Sequence, residues 1–511
     1  MLVDDINNEN NFVSFSEFYN DAIKEAISIK EDYPRWKASS GFSFFNYPFL
    51  LDSQAKGDIL KIENMVTMRH ELQDSFFRAM FIGVNSPYLH LEVRRDHVVR
   101  DSIAQLATKT THDLKKQLRV TFVGEEGIDD GGIQKEFFQM IVKQIFNPTH
   151  GMFQSDPESR LCWFTKEYVT DAGVLEEYML IGRLLGLAVY NSNTLEIPFP
   201  LALFKKLLHA PSTLVDLIEL DPVLGRGLRT LLDYSSVDFE QVYEGRTFQI
   251  EYETPYARAK TALYDLKPNA AEIPLTKDNR AEFVGLYVDF VFNRAVAAAF
   301  DRFSDGLYSV VDRESLVFFR PEEFQQLVVG SNELDFKALE FNAKYEGWED
   351  DSVIIKHFWE IVNDMTVEEQ KRLLFFTTGS DRAPVGGLGH LSFIIARNGP
   401  DSDRLPTSHT CYNVLLLNEY SSKEKLEERL KKAISFAHST DDLSRLFHER
   451  ADRRLEMLQD DFDLISEQIE VPGLDVVYSS GVLTFKTGVS GTYVINKQPP
   501  NKQIWLSSPI R

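Results

Sequence analysis

Apolar positions recur along the 511 residues with two periods, and the local period predicts the element. Leu118, Val120 and Phe122 alternate with polar residues, which predicts a strand. Ile133, Phe137, Ile141 and Ile145 are spaced by four, which predicts an amphipathic helix stopped at Asn147-Pro148. Helical patterning runs on to about residue 330, with 176–191 and 278–303 as its longest runs, interrupted by a β-leaning piece containing FQIEY and YDL. From 331 the texture is mixed. A helix near 351–363 precedes a strand at 390–397, a turn at Asn398-Gly399-Pro400 and an apolar strand from Val414 to Leu417. Ser421, with Glu424 three residues later, predicts a capping box. The helix it opens has the stripe Leu426, Leu430, Ile434 and the favourable pairs Glu427–Lys431 and Glu428–Lys432.

Beyond 439 the character changes again. Leu443, Phe447, Ala451, Leu455, Leu458, Phe462, Ile465 and Ile469 predict one long amphipathic helix, ended by Pro472-Gly473. Its other faces are acidic, with ten Asp/Glu against four Arg between 439 and 471. Alternating strands are expected at 481–487, 491–498 and 502–508, joined by turn-forming residues. A helix with three to four strands in about 70 residues lies near the lower margin for independent stability.

Composition narrows the function classes. At about 100–200 residues per domain the length predicts about three domains, or one bilobal enzyme with an appendage. Apolar residues make up 43% of the chain, so wholesale disorder is excluded. Seventy-eight acidic against 55 basic side chains, a net charge of −23, argue against a nucleic-acid binder. Two cysteines are too few for a disulfide framework or a four-cysteine zinc site, which points to a reducing compartment. The start, MLVDDINNENN, resembles neither a signal peptide nor a mitochondrial presequence. The run 178–190 is short and broken by Arg183, below the roughly 18 residues of a membrane span. The expected location is cytoplasmic or nuclear, away from membranes.

Cys411 is the most informative candidate. It follows Pro-Thr-Ser-His-Thr at a loop-to-strand junction, where an exposed thiol can act as a nucleophile, and His409 is a candidate base or orienting group. On pattern alone a half-buried structural cysteine is the commoner reading. Cys162, in RLCWF, reads as a packing residue. VGGLGH (385–390) lacks the Gly-Lys-Ser/Thr ending of a phosphate loop and reads as a turn before a strand. GEEGIDDGG lacks EF-hand spacing and reads as a strand-to-helix connection, with Asp129 and Asp130 near a helix N-terminus. No histidine or cysteine spacing indicates a transition-metal site.

Taken together, TTGSDRAPVGGLGH, LPTSHTCYN and YSSKEKL, preceded by VRRDHVVRDS, LRVTFVGEEGIDDGGIQKEFF, IFNPTHGMF, LIGRLLGLAVYN, FRPEEF and LDFKALE, resemble HECT-type ubiquitin ligases over residues 42–438. The resemblance implies an α+β bilobal domain. Residues 1–41 form an N-terminal extension without a recognisable recruitment module. A large, mostly helical lobe spans 42–330, with a conjugating-enzyme-binding subdomain at about 205–300, and a smaller α/β lobe spans 331–438. A hinge is expected at Val329, Gly330 and Ser331. The implied reaction takes ubiquitin from a conjugating enzyme as a thioester on Cys411 and passes it to substrate lysines. His409 and Thr410 support the thiol, and no metal or cofactor takes part.

The tail departs from that family. Its short Gly-Phe-Gly-apolar ending is missing, and its phenylalanine would align with Thr440; Phe447 is seven residues late and on a helix stripe. This puts lysine transfer in question more than thioester formation. Instead, SSGVLTFKTGVSGTYVINKQPPNKQIWLSSP (479–509), following the acidic helix, resembles the first half of frataxin, the iron-binding protein of Fe–S cluster assembly. The matching residues are Asp460, Asp461, Asp463 and Glu467 on the helix and Asn496, Gln503 and Trp505 on the sheet. The later strands and closing helix of that family are missing, so 439–511 is expected to be a partial helix-and-antiparallel-sheet unit. Iron enters only if that unit folds, as would a mitochondrial address. The junction itself suggests two coding segments joined near 436–445. Three readings follow: a ubiquitin ligase acting through Cys411, a transfer-impaired scaffold for ubiquitin or a conjugating enzyme, and an iron-binding Fe–S assembly protein.

Overall fold

A computed structural model describes residues 15–437, apart from 21, 24–26, 83–85, 125–131, 148–149, 166–170, 254–260, 332, 350–351 and 411. Beyond these it describes 451, 453–455, 457–462, 474–479, 482–487, 492–498 and 503–507. Along the chain, α1 (Ser53–Ile82) precedes the paired strands β1 (Leu89–Val93) and β2 (Leu118–Phe122), then α2 (Gly132–Ile145). The hairpin β3 (Phe153–Ser155) and β4 (Cys162–Phe164) leads to α3 (Ala172–Tyr190), α4 (Leu214–Leu220) and α5 (Pro222–Asp233). After β5 (Gln249–Glu253) and β6 (Thr261–Asp265) come α6 (Arg280–Phe292), α7 (Ala297–Tyr308) and α8 (Pro321–Val329). Then follow α9 (Phe336–Asn342), β7 (Lys344–Glu346), α10 (Val353–Asp364), α11 (Val367–Thr378), β8 (Ile394–Arg397), β9 (Thr407–His409), β10 (Val414–Leu417) and α12 (Lys423–Ala437). The last strands are β11 (Leu474–Ser479), β12 (Val482–Thr487), β13 (Thr492–Gln498) and β14 (Gln503–Ser507).

The chain divides into two compact units. One comprises Met1–Leu89, Val99–Leu118 and Gln139–Val329; the other comprises His90–Val98, Arg119–Phe138 and Gly330–Arg511.

In the first unit, α3 and α7 cross with their backbones in contact. A Cβ on Gly182 would lie 2.0 Å from the Phe303 carbonyl oxygen, and one on Gly306 would lie 1.9 Å from that of Met179. Around the crossing, Phe303 meets Phe164 and Phe199 edge to face, while Phe164 is stacked on Phe199 and tilted against Tyr178, arrangements that aromatic quadrupoles allow. The apolar run expected as one helix over 278–303 is two helices. It breaks at Asn293, whose amide returns to Asp289 Oδ1 while Arg294 Nε binds Asp289 Oδ2, with a 3-10 turn at Arg294–Val296 between them. By length and composition Arg280–Tyr308 could cross a membrane. Within it Phe290, Val291, Phe300 and Phe303 are buried in the protein.

In the second unit a mixed sheet runs β7-β8-β10-β9, with β8 parallel to both β7 and β10, and β9 antiparallel to β10. Ile395, Leu415 and Leu417 point into a core completed by Phe358 and Val362 of α10, Leu373 and Leu374 of α11, and Leu426, Leu430 and Ile434 of α12. The cap of α12 lies one residue later than the pattern predicts. Ser422 Oγ accepts from Lys425 N at 3.2 Å, while the Ser421 hydroxyl turns to Asp401. The Glu427–Lys431 pair forms, at 3.0 Å. β11 to β14 make an antiparallel meander with Leu483 buried, and Phe462 stacks on Phe485 with ring centroids 4.4 Å apart.

Candidate functional site

β9 and β10 form a tight hairpin in which His409 pairs with Val414. Within its loop, Tyr412 N donates to His409 O at 3.1 Å. Asn413 takes the left-handed conformation, φ 53°, and its carbonyl accepts from Ile394 N of the neighbouring strand at 3.1 Å. Asparagine tolerates that region better than most residues, so the turn suits its sequence. Cys411, the candidate nucleophile, lies outside the described residues; Thr410 and Tyr412 on either side of it are half-buried and exposed, respectively. The strand leading to it is anchored by Ser408, fully buried, whose Oγ donates to the Phe376 carbonyl near the end of α11 at 2.5 Å.

His409 is half-buried, and burial pulls its imidazole below the ordinary value of 6.5. The ring is therefore neutral at neutral pH, the state in which it can accept a proton or a hydrogen bond. Thr410 contributes its backbone: Lys135 Nζ donates to its carbonyl at 3.3 Å and to that of Thr378, the last residue of α11, at 3.4 Å. All three residues belong to the second unit. On the same helix Glu136 is gripped by Arg95, with Nη1–Oε1 at 2.6 Å and Nη2–Oε2 at 3.2 Å, and that guanidinium lies over the Phe122 ring at 4.0 Å. Lys135 and the Arg95–Glu136 pair are absent from the candidates named by sequence reasoning. The one available signal was their place in the quoted stretches VRRDH and IQKEFF, which motif reading treated as identification rather than chemistry.

The other candidates fall as follows. Val329 ends α8 and is buried. Gly330 has φ +78°, and a Cβ there would lie 2.8 Å from the Ala383 carbonyl oxygen. Ser331 exchanges two backbone hydrogen bonds with Ala383, at 2.8 and 2.9 Å. Cys162 is buried in β4, and burial pushes its thiol above the ordinary range, which makes it a poor nucleophile. Asp460 and Asp461 are exposed on a helical stretch, while Asp463, Glu467 and Thr440 lie outside the described residues, as does the 125–131 connection. Among the described residues no group of three or more His, Cys, Asp or Glu side chains could hold a metal ion.

Comparison with known proteins extends these observations. The profile of the family described as HECT-domain (ubiquitin-transferase) matches residues 139–440, and that of the frataxin-like domain matches 442–511. The probable E3 ubiquitin-protein ligase HECTD2 of Mus musculus is 39% identical over 444 residues, which cover 83% of this chain and 56% of the relative. The probable E3 ubiquitin-protein ligase HERC4 of Homo sapiens is 37% identical, over 83% of this chain and 41% of the relative. The probable E3 ubiquitin-protein ligase HUL4 of Eremothecium gossypii is 36% identical, over 81% and 53%. The chain thus spans about two fifths to three fifths of the length of these relatives.

Proposed function

The chain belongs to the HECT-domain (ubiquitin-transferase) family, and from that premise we propose that it is a ubiquitin–protein ligase working through a thioester on Cys411. In the first step the Cys411 thiolate attacks the carbonyl carbon of a ubiquitin–conjugating-enzyme thioester. The new C–S bond forms as the old one breaks, and the conjugating enzyme's sulfur leaves as thiolate. In the second step a deprotonated lysine amine attacks the Cys411 thioester, an isopeptide bond forms, and the cysteine sulfur is released. Cysteine suits both steps, as a strong nucleophile and a good leaving group. No metal or cofactor is required by this chemistry.

The observation that carries the reading is the anchored hairpin. Its residues on both sides of Cys411 are held by Ser408–Phe376, His409–Tyr412 and Asn413–Ile394 hydrogen bonds, a preorganised turn of the kind a nucleophile needs. The conjugating enzyme is proposed to dock on the 205–300 subdomain, where Val223, Val237, Val242 and Leu263 are exposed. Val329–Ser331 would serve as the hinge, and the cytoplasm or nucleus as the location. A pulse-chase tests the reading. Ubiquitin loaded from a conjugating enzyme should appear on the chain as a reducible adduct and discharge to added lysine. No reducible adduct would defeat the proposal.

A second reading has its own observation. The family profile ends at 440 and the frataxin-like match begins at 442, in place of the usual ligase tail. A chain that charges but never discharges would be a transfer-impaired scaffold for ubiquitin and its conjugating enzyme. An iron-handling role rests on 442–511 alone and would need iron binding by the full chain.

A further inference from the structure

We propose that the cavity bounded by the helix Ile29–Lys37, α1 and the 3-10 turn Glu314–Leu316 is a binding site for an arginine side chain of a protein partner. The site lies wholly within the first unit and does not involve Cys411, so it stands or falls separately from the ligase reading.

The cavity has a volume of about 380 Å3, room for a guanidinium and its stem. Its apolar wall is formed by Tyr33 and Trp36, stacked with ring centroids 5.9 Å apart. Buried Phe318 backs both rings, 4.6 Å from Trp36 and 6.3 Å from Tyr33, so the wall is fixed before anything binds. The chain leaving the helix is fixed as well. Ser39 takes the left-handed conformation, φ 51°, with its amide on Trp36 O at 2.9 Å, and this turn sets Ser39 and Gly41 on the rim.

The charged side chains lining the cavity are Glu63, Glu314 and Lys37, two carboxylates against one ammonium. Glu63 is the deeper acid. Its Oε2 accepts from Ser315 Oγ at 2.7 Å, and Lys37 and Tyr33 also donate to it. Burial opposes its charge, but these hydrogen bonds outweigh burial and hold the carboxyl below its ordinary value of 4.5. A carboxylate offers about four acceptor positions, so three donors leave room for another. Glu314 is exposed and places the second carboxylate at the mouth.

Lys37 shows which chemistry the cavity selects. Its ammonium lies 5.7 Å from the centroid of the Tyr33 ring while bonded to Glu63. Because Lys37 itself is exposed, its pairing is weak enough for a better cation to displace. A guanidinium is that better cation: it is planar, stacks on an indole face and presents a fork of N–H donors to a carboxylate. The net charge of −23 draws basic segments toward the chain.

The test is calorimetric titration of the full chain with the peptide acetyl-Gly-Arg-Gly amide, beside its Lys and Gln counterparts and free arginine. The Arg peptide should bind tightest, the Gln peptide should not bind, and free arginine should bind more weakly than the Arg peptide. Glu63→Gln should weaken the Arg peptide about tenfold and Trp36→Leu about threefold. Lys37→Met should tighten it about threefold, because the internal competitor is gone, an effect that mere structural damage would not produce. Glu314→Gln, at an exposed position, serves if Glu63→Gln fails to fold, and should weaken binding about twofold. Equal binding of the Arg and Gln peptides, or variants that all bind as the wild type does, would overturn the proposal. Free arginine binding as tightly as the peptide would overturn its assignment to a protein partner.

Discussion

Ser408 Oγ donates a 2.5 Å hydrogen bond to the carbonyl of Phe376, 32 residues earlier in the chain, with both partners buried. Ser408→Ala leaves that carbonyl unsatisfied in the core, which costs about 1–3 kcal/mol. Chemical denaturation of the variant should show the loss in the transition of the second unit. Unchanged stability would mean that another donor reaches Phe376 O.

A second buried pair lies in the first unit. Lys56 Nζ is 2.6 and 2.7 Å from the two oxygens of Glu323, which also accepts the Tyr19 hydroxyl at 2.6 Å and the Arg320 amide at 2.8 Å. Both side chains are almost wholly buried. Lys56→Met strands a carboxylate and should cost about 3–5 kcal/mol, whereas Lys56→Met combined with Glu323→Leu should recover much of it. A double variant as unstable as the single would contradict this account.

The α3–α7 crossing predicts a contrast among glycines. Gly182→Ala drives a methyl into the Phe303 carbonyl and should destabilise by about 1–3 kcal/mol or more, read as a lowered Tm. Gly285, also helical, has open space where its Cβ would stand. Gly285→Ala should be neutral or stabilising by up to about 1 kcal/mol. Equal effects at the two positions would argue against the close crossing.

How much of this was legible in the sequence differs element by element. The stripes of α2 and α12 and the alternation of β2 are written in single residues, because burial on one face imposes a period. β7 was invisible: Lys344, Tyr345 and Glu346 are all exposed, and the strand exists through backbone pairing with β8 rather than through an apolar pattern. The break at Asn293 was hidden by the apolar run on either side. The pattern put the cap of α12 at Ser421, but Asp401, twenty residues away in the chain, claims that hydroxyl, and Ser422 caps instead. At the candidate site the motif around Cys411 was plain, but Lys135 is 275 residues from Thr410, a proximity that only the tertiary fold creates.

Burial of His409 has a consequence for acid stability. Its pKa in the folded chain is below the ordinary 6.5, so the unfolded chain binds the proton more readily. The stabilisation from the neutral ring is whole above pH 6.5 and is lost as the pH falls from there toward the folded-state value. Denaturation midpoints across pH 7 to 4 should therefore drop more for the wild type than for His409→Gln. Parallel curves would mean the imidazole titrates freely.

The central claim is that Cys411 carries ubiquitin. The most direct measurement is the mass of the chain after a single turnover with a loaded conjugating enzyme, followed by peptide mapping under non-reducing conditions. The account predicts the added mass of one ubiquitin, joined through its C-terminal carbonyl to Cys411, removed by thiol and absent in Cys411→Ala. An adduct that survives thiol, that maps to Cys162, or that persists in Cys411→Ala would contradict it.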